Sequence, residues 1–278
     1  MKPRHWMQRL QARICLLVVA GLLFLGAKTL AQDDTAELAK KAQNPVASMI
    51  SLPFQANINF GLGPYDRDQY ILNIQPVLPI RLSENWNLIT RTIIPVIYQP
   101  DTWTDSGSTG GVGDIQASFF FSPAQPSKVI WGVGPVLQLP SGTNAMLTQG
   151  KWGLGPTFVV LAMPGHWVLG VLGNNVWSVG GQDDHEDVNQ FLLQYFINYN
   201  LPKGWYLTSA PILTANWKAE AGEKWVVPFG GGAGRIFRVG KQPMNGQIGA
   251  YYNAEKPAGG PDWQLRIQLV LLFPTAKK

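Results

Sequence analysis

The feature that most constrains this chain is a long-range alternation of apolar and carboxamide side chains. In 263–273, Trp263, Leu265, Ile267, Leu269, Leu271 and Phe273 share one parity, and Gln264, Arg266 and Gln268 share the other. In 189–199, Phe191, Leu193, Tyr195, Ile197 and Tyr199 alternate with Gln190, Gln194 and Asn198. In 52–60, Leu52, Phe54, Ala56, Ile58 and Phe60 oppose Gln55, Asn57 and Asn59; in 70–78, Tyr70, Leu72, Ile74 and Leu78 oppose Asn73 and Gln75. Successive side chains of a strand point to opposite faces, so each segment presents one greasy face and one amide face.

A soluble β-sandwich alternates as well, and three details argue against it. The polar face carries Gln and Asn where a water-facing surface favours Lys and Glu; only 14% of the 278 residues are charged, against about 25% in a soluble domain. The segments are about 10–13 residues long, beyond the globular mode of ~5–6 and suited to a tilted membrane strand. Aromatics bound the greasy face at both ends: Trp86 with Tyr98, Trp205 with Trp217, Trp167 with Trp177 and Trp263 with Phe273. At ~3.3 Å per residue and ~40° tilt these pairs span roughly 25–30 Å, the height of a barrel's apolar band with its two aromatic girdles.

The expected fold is therefore all-β: a transmembrane antiparallel up-and-down β-barrel of about twelve strands, preceded by a short helical segment. The strands are expected near 51–60, 69–81, 85–98, 111–122, 128–140, 151–163, 166–178, 187–201, 204–217, 223–238, 242–254 and 262–273, an even number as bacterial barrels prefer. Odd connections (61–68, 99–110, 141–150, 180–186, 218–222, 255–261) are longer or more polar than even ones such as 82–84, 163–165 and 202–203, which places both termini on the periplasmic side. Pro76, Pro95, Pro135, Pro156, Pro211 and Pro228 fall within these strands, where each removes a ladder donor, so they must sit at bulges or kinks. The GxGP pieces 132–135 and 153–156 read as a local repeat that bends the wall, and alternation is lost around Gly230–Gly232, leaving Arg235 without a face. Should two of the proline-bearing segments not be strands, the count falls to ten.

The amino-terminal segment speaks to export. Lys2, Arg4, Arg9 and Arg13 precede an unbroken apolar run from Ile14 to Leu25, followed by Thr29-Leu30-Ala31 with small residues at the −3 and −1 positions. This is a signal peptide over 1–31, its run too short for an anchor helix. The lone cysteine, Cys15, lies inside it without a small-residue lipobox, so the exported chain relies on no disulfide. Five of the 22 basic residues and none of the 17 acidic ones precede residue 32, which leaves 17 against 17 from Gln32 onward. The net charge of +5 thus belongs to the leader and does not point to nucleic acid. Residues 32–50 hold Asp33, Asp34, Glu37, Lys40 and Lys41 among Ala and Leu before Asn44-Pro45, which suits a short helix stopping before proline. It either lies in the periplasm or folds into the lumen as a plug. The barrel then runs over 51–274, with a tail at 275–278.

Several stretches resemble a bacterial outer-membrane transport family: NPVASMISLPFQ (44–55), NIQPVLPI (73–80), WNLITRTIIPVIYQ (86–99), GVGDIQASFFFSP (111–123), IWGVGPVLQLP (130–140), GKWGLGPTFVV (150–160), NNVWSVGG (174–181) and LLFP (271–274). The family is related to the meta-pathway phenol-degradation family, and its members often carry the label neuromedin U. The resemblance covers most of 36–274. It implies a β-barrel with a transport role for small compounds, aromatic ones among them, and supplies no catalytic residues. The tail after Phe273-Pro274 departs from barrels that end on the terminal aromatic.

The lumen candidates are Gln55, Asn57, Asn59, Asn73, Gln75, Arg91, Gln190, Gln194, Asn198, Gln264, Arg266 and Gln268. Among mid-strand polar positions only Arg91 and Arg266 are clearly charged. They form either an anion-favouring constriction or wall bracing, Arg91 with Asp114 and Arg266 with amides of the first strand. In the outer loops, Asp183, Asp184, His185, Glu186 and Asp187 are either a solvated acidic loop or oxygen ligands for a divalent ion. Neither mature histidine, His166 or His185, has a Ser two residues on, which weighs against an outer-membrane phospholipase. Asp66-x-Asp68 with Asp183-x-His185 matches the wording of an omptin-like surface protease, a short pattern that chance supplies easily. The expectation is a non-enzymatic barrel in the bacterial outer membrane that passes small solutes without a cofactor. Its partners are outer-membrane lipids and the barrel-assembly machinery, its oligomeric state unspecified; the alternative is a structural or adhesive barrel without transport.

Overall fold

The computed structural model describes residues 32–125 and 127–274; the leader 1–31 and the tail 275–278 lie outside them. Helix α1 (Gln32–Ala42) precedes fifteen ladder segments: β1 (Ile50–Leu62), β2 (Arg67–Ile74), β3 (Val77–Arg81), β4 (Trp86–Pro100), β5 (Ser108–Val112), β6 (Ile115–Pro123), β7 (Val129–Leu139), β8 (Lys151–Ala162), β9 (Trp167–Gly181), β10 (Asn189–Asn200), β11 (Trp205–Ser209), β12 (Ile212–Asn216), β13 (Trp225–Val239), β14 (Gln242–Glu255) and β15 (Trp263–Phe273). β2/β3, β5/β6 and β11/β12 are halves of single strands interrupted at 75–76, 113–114 and 210–211. The result is twelve antiparallel barrel strands. β1 pairs with β15 from Ile50↔Phe273 to Phe60↔Trp263, and this ladder closes the ring. The expected count of twelve is the one found. The first connection, read as 61–68, is shorter because β1 and β2 run on to leave only the turn 63–66.

The prolines sit where the ladder can lose a donor. Pro76 and Pro211 mark two of the strand interruptions, and Pro228 adjoins a register shift between β13 and β14. Pro95 accepts from the Gly113 N–H at 2.9 Å beside the third interruption. Pro135 and Pro156 face each other across β7 and β8, and the β6–β7 and β8–β9 ladders skip the positions around them. Glycine is required there: a Cβ on Gly134 would stand 1.9 Å from the Phe119 carbonyl oxygen, and one on Gly155 1.6 Å from that of Asn175. The GxGP repeat is thus a pair of kinks at which a neighbouring carbonyl moves into the space of a missing side chain.

Burial follows the alternation. Along β8, Lys151, Gly153, Gly155, Thr157, Val159 and Leu161 are buried in the bore, while Trp152, Leu154, Pro156, Phe158 and Val160 are exposed outside. The outward face carries two aromatic belts. At the end with the short turns, Trp86 meets Trp131 and Trp167 meets Tyr199; at the end with the longer loops, Tyr70 meets Tyr98, Phe60 meets Trp263, Phe229 meets Tyr252 and Trp217 meets Trp225. Arg235 points outward, its guanidinium 5.1 Å from the ring of Trp205 in the turn-end belt. Between the belts lies an encircling band of Leu, Ile, Val and Phe, whereas water-soluble monomers seldom expose a contiguous apolar patch beyond a few hundred Å². No described helix is long and apolar enough to cross a membrane.

The segment read as either periplasmic or luminal lies in the turn end of the bore. α1 ends at Ala42, and Asn44 turns the chain by accepting the Val46 N–H at 2.9 Å on its side chain. Leu38, Ala39, Ala47 and Met49 are buried against Ile236 of β13 and Val270 and Leu272 of β15. Val46 joins a second apolar cluster with Ile89, Phe120, Ile130, Leu161, Val168 and Phe196 from the opposite wall. Gln43 donates to Asn200 Oδ1 at 2.9 Å, which fixes the segment to β10.

Candidate functional site

The bore has three levels. At the loop end, inward amides link four neighbouring strands: Gln264 of β15 donates to Asn59 of β1 at 2.8 Å, Asn59 to Gln69 of β2 at 2.7 Å, and Gln69 to Gln99 of β4. Two loops are pinned beside this row. Arg67 donates to the carbonyls of Asp101, Thr104 and Gly107 at 2.9–3.2 Å. Asp114 accepts from Gly142 N, Thr148 Oγ1 and Gln149 N at 2.7–3.1 Å. Gln138, inward on β7, donates to Gln149 Oε1 at 2.7 Å, so the loop 140–150 reaches in over the mouth.

Below the amides lies a cavity of about 150 Å³ whose floor is the plug. Seven of the twelve expected lumen residues line it: Gln55, Gln75, Arg91, Gln194, Asn198, Arg266 and Gln268. Asn57 and Gln264 stand just outside, each bonded to Arg266, and Asn59 belongs to the amide row. Asn73 and Gln190 are inward and half-buried but do not reach the cavity. Tyr206, Thr208, Asn245 and Gln247 also line it and were not singled out from the sequence. Their signal was available: Tyr206 and Thr208 oppose Trp205 and Leu207 in parity, as Asn245 and Gln247 oppose Met244 and Ile248.

The two arginines have different surroundings. Arg266 is buried; its Nε donates to Asn57 Oδ1 at 3.2 Å, Nη1 to the Ala210 carbonyl at 2.7 Å and Nη2 to Gln264 Oε1 at 3.0 Å, and its plane lies 4.7 Å from the ring of Tyr251. The Ala210 carbonyl is freed by the proline interruption, and Gln194 donates to it as well at 3.3 Å. Arg266 therefore braces the wall at a kink, as the amide pairing with the first strand anticipates. Among the described residues Arg91 makes one hydrogen bond, from Nη2 to Gln75 Oε1 at 2.7 Å. The expected pairing of Arg91 with Asp114 does not form: the register sets Arg91 opposite Ser118, and Asp114, further toward the loop end, binds the loop 141–150. Among the described residues neither guanidinium has a carboxylate within 4 Å.

The picture of a bore lined throughout by amides needs correction. The turn-end half of β6–β10 points Phe120, Ile130, Leu161, Val168 and Phe196 inward, and these form one cluster with Val46 of the plug. An inward residue need not be polar where another part of the chain covers it, and strand parity does not reveal the cover.

The outer-loop candidates do not assemble. Asp187 accepts from Ser178 Oγ at 3.2 Å and lies 3.9 and 4.0 Å from the ammonium groups of Lys151 and Lys218. His185 packs over Gly150. With Asp183, Asp184 and Glu186 in the same loop, no group of three metal-ligating side chains converges among the described residues. Asp66 sits in the β1–β2 turn and His185 in the β9–β10 loop, on opposite sides of the ring of twelve strands.

No family model and no curated protein matches the sequence. Solved structures do match in shape. The COG4313 outer membrane channel from Pseudomonas putida F1 aligns with a TM-score of 0.64 at 18% identity, over 83% of this chain and 97% of that one. The NanC porin aligns with a TM-score of 0.51 at 10% identity, over 81% of this chain and 100% of that one. At these identities the likeness is one of fold: a closed β-barrel.

Proposed function

We propose that this chain is a non-enzymatic channel of the bacterial outer membrane, delivered there by its leader, that passes small solutes, aromatic ones among them, down their gradients. The observation that carries the reading is the cavity: an amide- and arginine-lined space within a closed barrel whose outer face is apolar between two aromatic belts. Only helices and closed barrels satisfy every backbone group in lipid, and the described helix is too short to span. Twelve strands stand between filled eight-stranded barrels and open porins, which fits a narrow bore that a short segment can obstruct. The names of the two matched structures, a channel and a porin, support the same reading. On it, a solute enters over the loop-end amides, rests in the cavity and leaves when the plug shifts. Its partners are membrane lipids and the barrel-assembly machinery, and the chemistry calls for no cofactor.

The dry packing of the plug favours a second reading, a structural barrel that passes nothing. Proteoliposome swelling with a pentose and with a small carboxylate separates the two. A channel gives swelling above protein-free vesicles for at least one solute. A structural barrel, its plug in place, gives none.

A further inference from the structure

We infer that the cavity is a binding site for a small organic anion: a carboxylate carrying an apolar body about the size of one six-membered ring. The inference deepens the channel reading and takes from it that solutes reach the bore.

Charge is the first observation. Three cations, Lys41, Arg91 and Arg266, line the cavity, and no aspartate or glutamate does. Lys41 is matched by Glu37 at 2.6 Å on the plug, whereas the two wall guanidiniums face one space with no carboxylate partner. Like charges in a poorly solvated interior destabilise each other and the fold that holds them. A bound anion would offset that cost, and water would do so less well.

The second observation is a division of labour. Arg266 has committed Nε, Nη1 and Nη2 and stacks on Tyr251, so it contributes field and not an open hand. Arg91 holds its plane through a single bond to Gln75, which leaves donors for a planar, two-oxygen acceptor, the geometry a guanidinium suits best.

Size and lining set the rest of the ligand. A cavity of about 150 Å³ equals one that holds a benzene molecule when lined by Leu, Ile and Phe. Here Val77, Leu172 and Phe196 belong to the apolar part, with Met49 and Val270. Carboxamides and hydroxyls, among them Gln55, Gln194 and Thr208, line the rest, and an inorganic ion would leave the apolar part unfilled.

The test uses the processed full chain in detergent with benzoate as probe and benzamide as its neutral counterpart, read by ligand-observed NMR. Benzoate is expected to bind at least about tenfold more tightly than benzamide. Arg91→Gln should weaken benzoate by about tenfold or more, the loss typical of a hydrogen bond to a charged group, and leave benzamide unchanged. Arg91→Lys keeps the charge without the fork and should fall between. Heat-modified gel migration confirms that each variant is a folded barrel, and Arg266, a wall brace, is left intact. Equal binding of the two probes, no binding of either, or indifference of benzoate to Arg91→Gln overturns the inference. A planar-bilayer arm under a sodium benzoate gradient keeps the channel reading separate. Absence of any conductance alongside Arg91-dependent benzoate binding would remove the channel and leave the anion site. Conductance without that binding would do the reverse.

Discussion

The two ends of the bore are lined by opposite chemistry. At the turn end Leu38, Ala39, Ala47 and Met49 meet Ile236, Val270 and Leu272, and Val46 meets the cluster around Ile130 and Phe196. At the loop end the contacts are hydrogen bonds: the amide row from Gln264 to Gln99, the carbonyls gathered by Arg67 and the donors gathered by Asp114. Apolar contacts hold only while water is excluded, so that closure is lost as a unit. Each amide bond exchanges with water at a net cost near ~1 kcal/mol. On the channel reading, the difference places the resistance to a solute in the plug and makes the loop end a compliant rim.

The largest effect should come from removing residues 32–49. The β1–β15 ladder starts at Ile50 and does not use the segment, so the ring should still close. Single-channel conductance in planar bilayers is expected to rise by roughly tenfold, since the obstruction goes and a twelve-stranded ring is wider than the filled eight-stranded barrels. If conductance stays unchanged, the narrowest point lies at the loops and the comparison is reversed.

The strand pattern was legible in the sequence because the outer face answers to one environment everywhere. Trp152, Leu154, Phe158 and Val160 all point outward on β8, so a period of two is visible without knowing any neighbour. The kinks were legible too, since proline cannot donate wherever it stands. The bore was legible only in part. Gln55, Gln75 and Asn198 could be placed inside by parity, yet Phe120 and Val168 are inside as well, and what makes them acceptable there is the plug, more than seventy residues away in sequence. Asp114 was misassigned for a related reason. An adjoining strand does not fix the register, which sets Arg91 opposite Ser118 and not Asp114, and the three donors that the loop 141–150 brings to Asp114 depend on how that loop folds. Charge pairing is a tertiary fact, and alternation carries only secondary information.

A mid-sized effect is expected at the rim. Asp114→Ala removes the acceptor for Gly142 N, Thr148 Oγ1 and Gln149 N, and leaving donors unmatched costs about 1–3 kcal/mol. These groups are at the mouth and can turn to water, so the loss should be local. Limited proteolysis of the reconstituted protein should cut within 141–150 about tenfold faster, with benzoate binding in the cavity unaltered. A drop in binding would mean that the loop shapes the cavity, and the rim would then be part of the site.

The smallest effect sharpens the contrast most. Gln69 both accepts from Asn59 and donates to Gln99, so Gln69→Ala cuts the amide row at its middle. All three residues are inward at the loop end, where water can enter the space the side chain vacates and bond to both neighbours. The expected loss of stability is therefore below ~1 kcal/mol by urea unfolding in vesicles, with conductance barely raised. The equivalent cut at the plug, Leu38→Ala, leaves an apolar gap that water does not fill usefully and should loosen the segment by ~2–3 kcal/mol, read as faster amide exchange over 37–49. The ratio of the two losses measures how wet one end is relative to the other. Equal losses would mean that the amide row is as dry as the plug, and that the bore is one continuous core with no rim to enter.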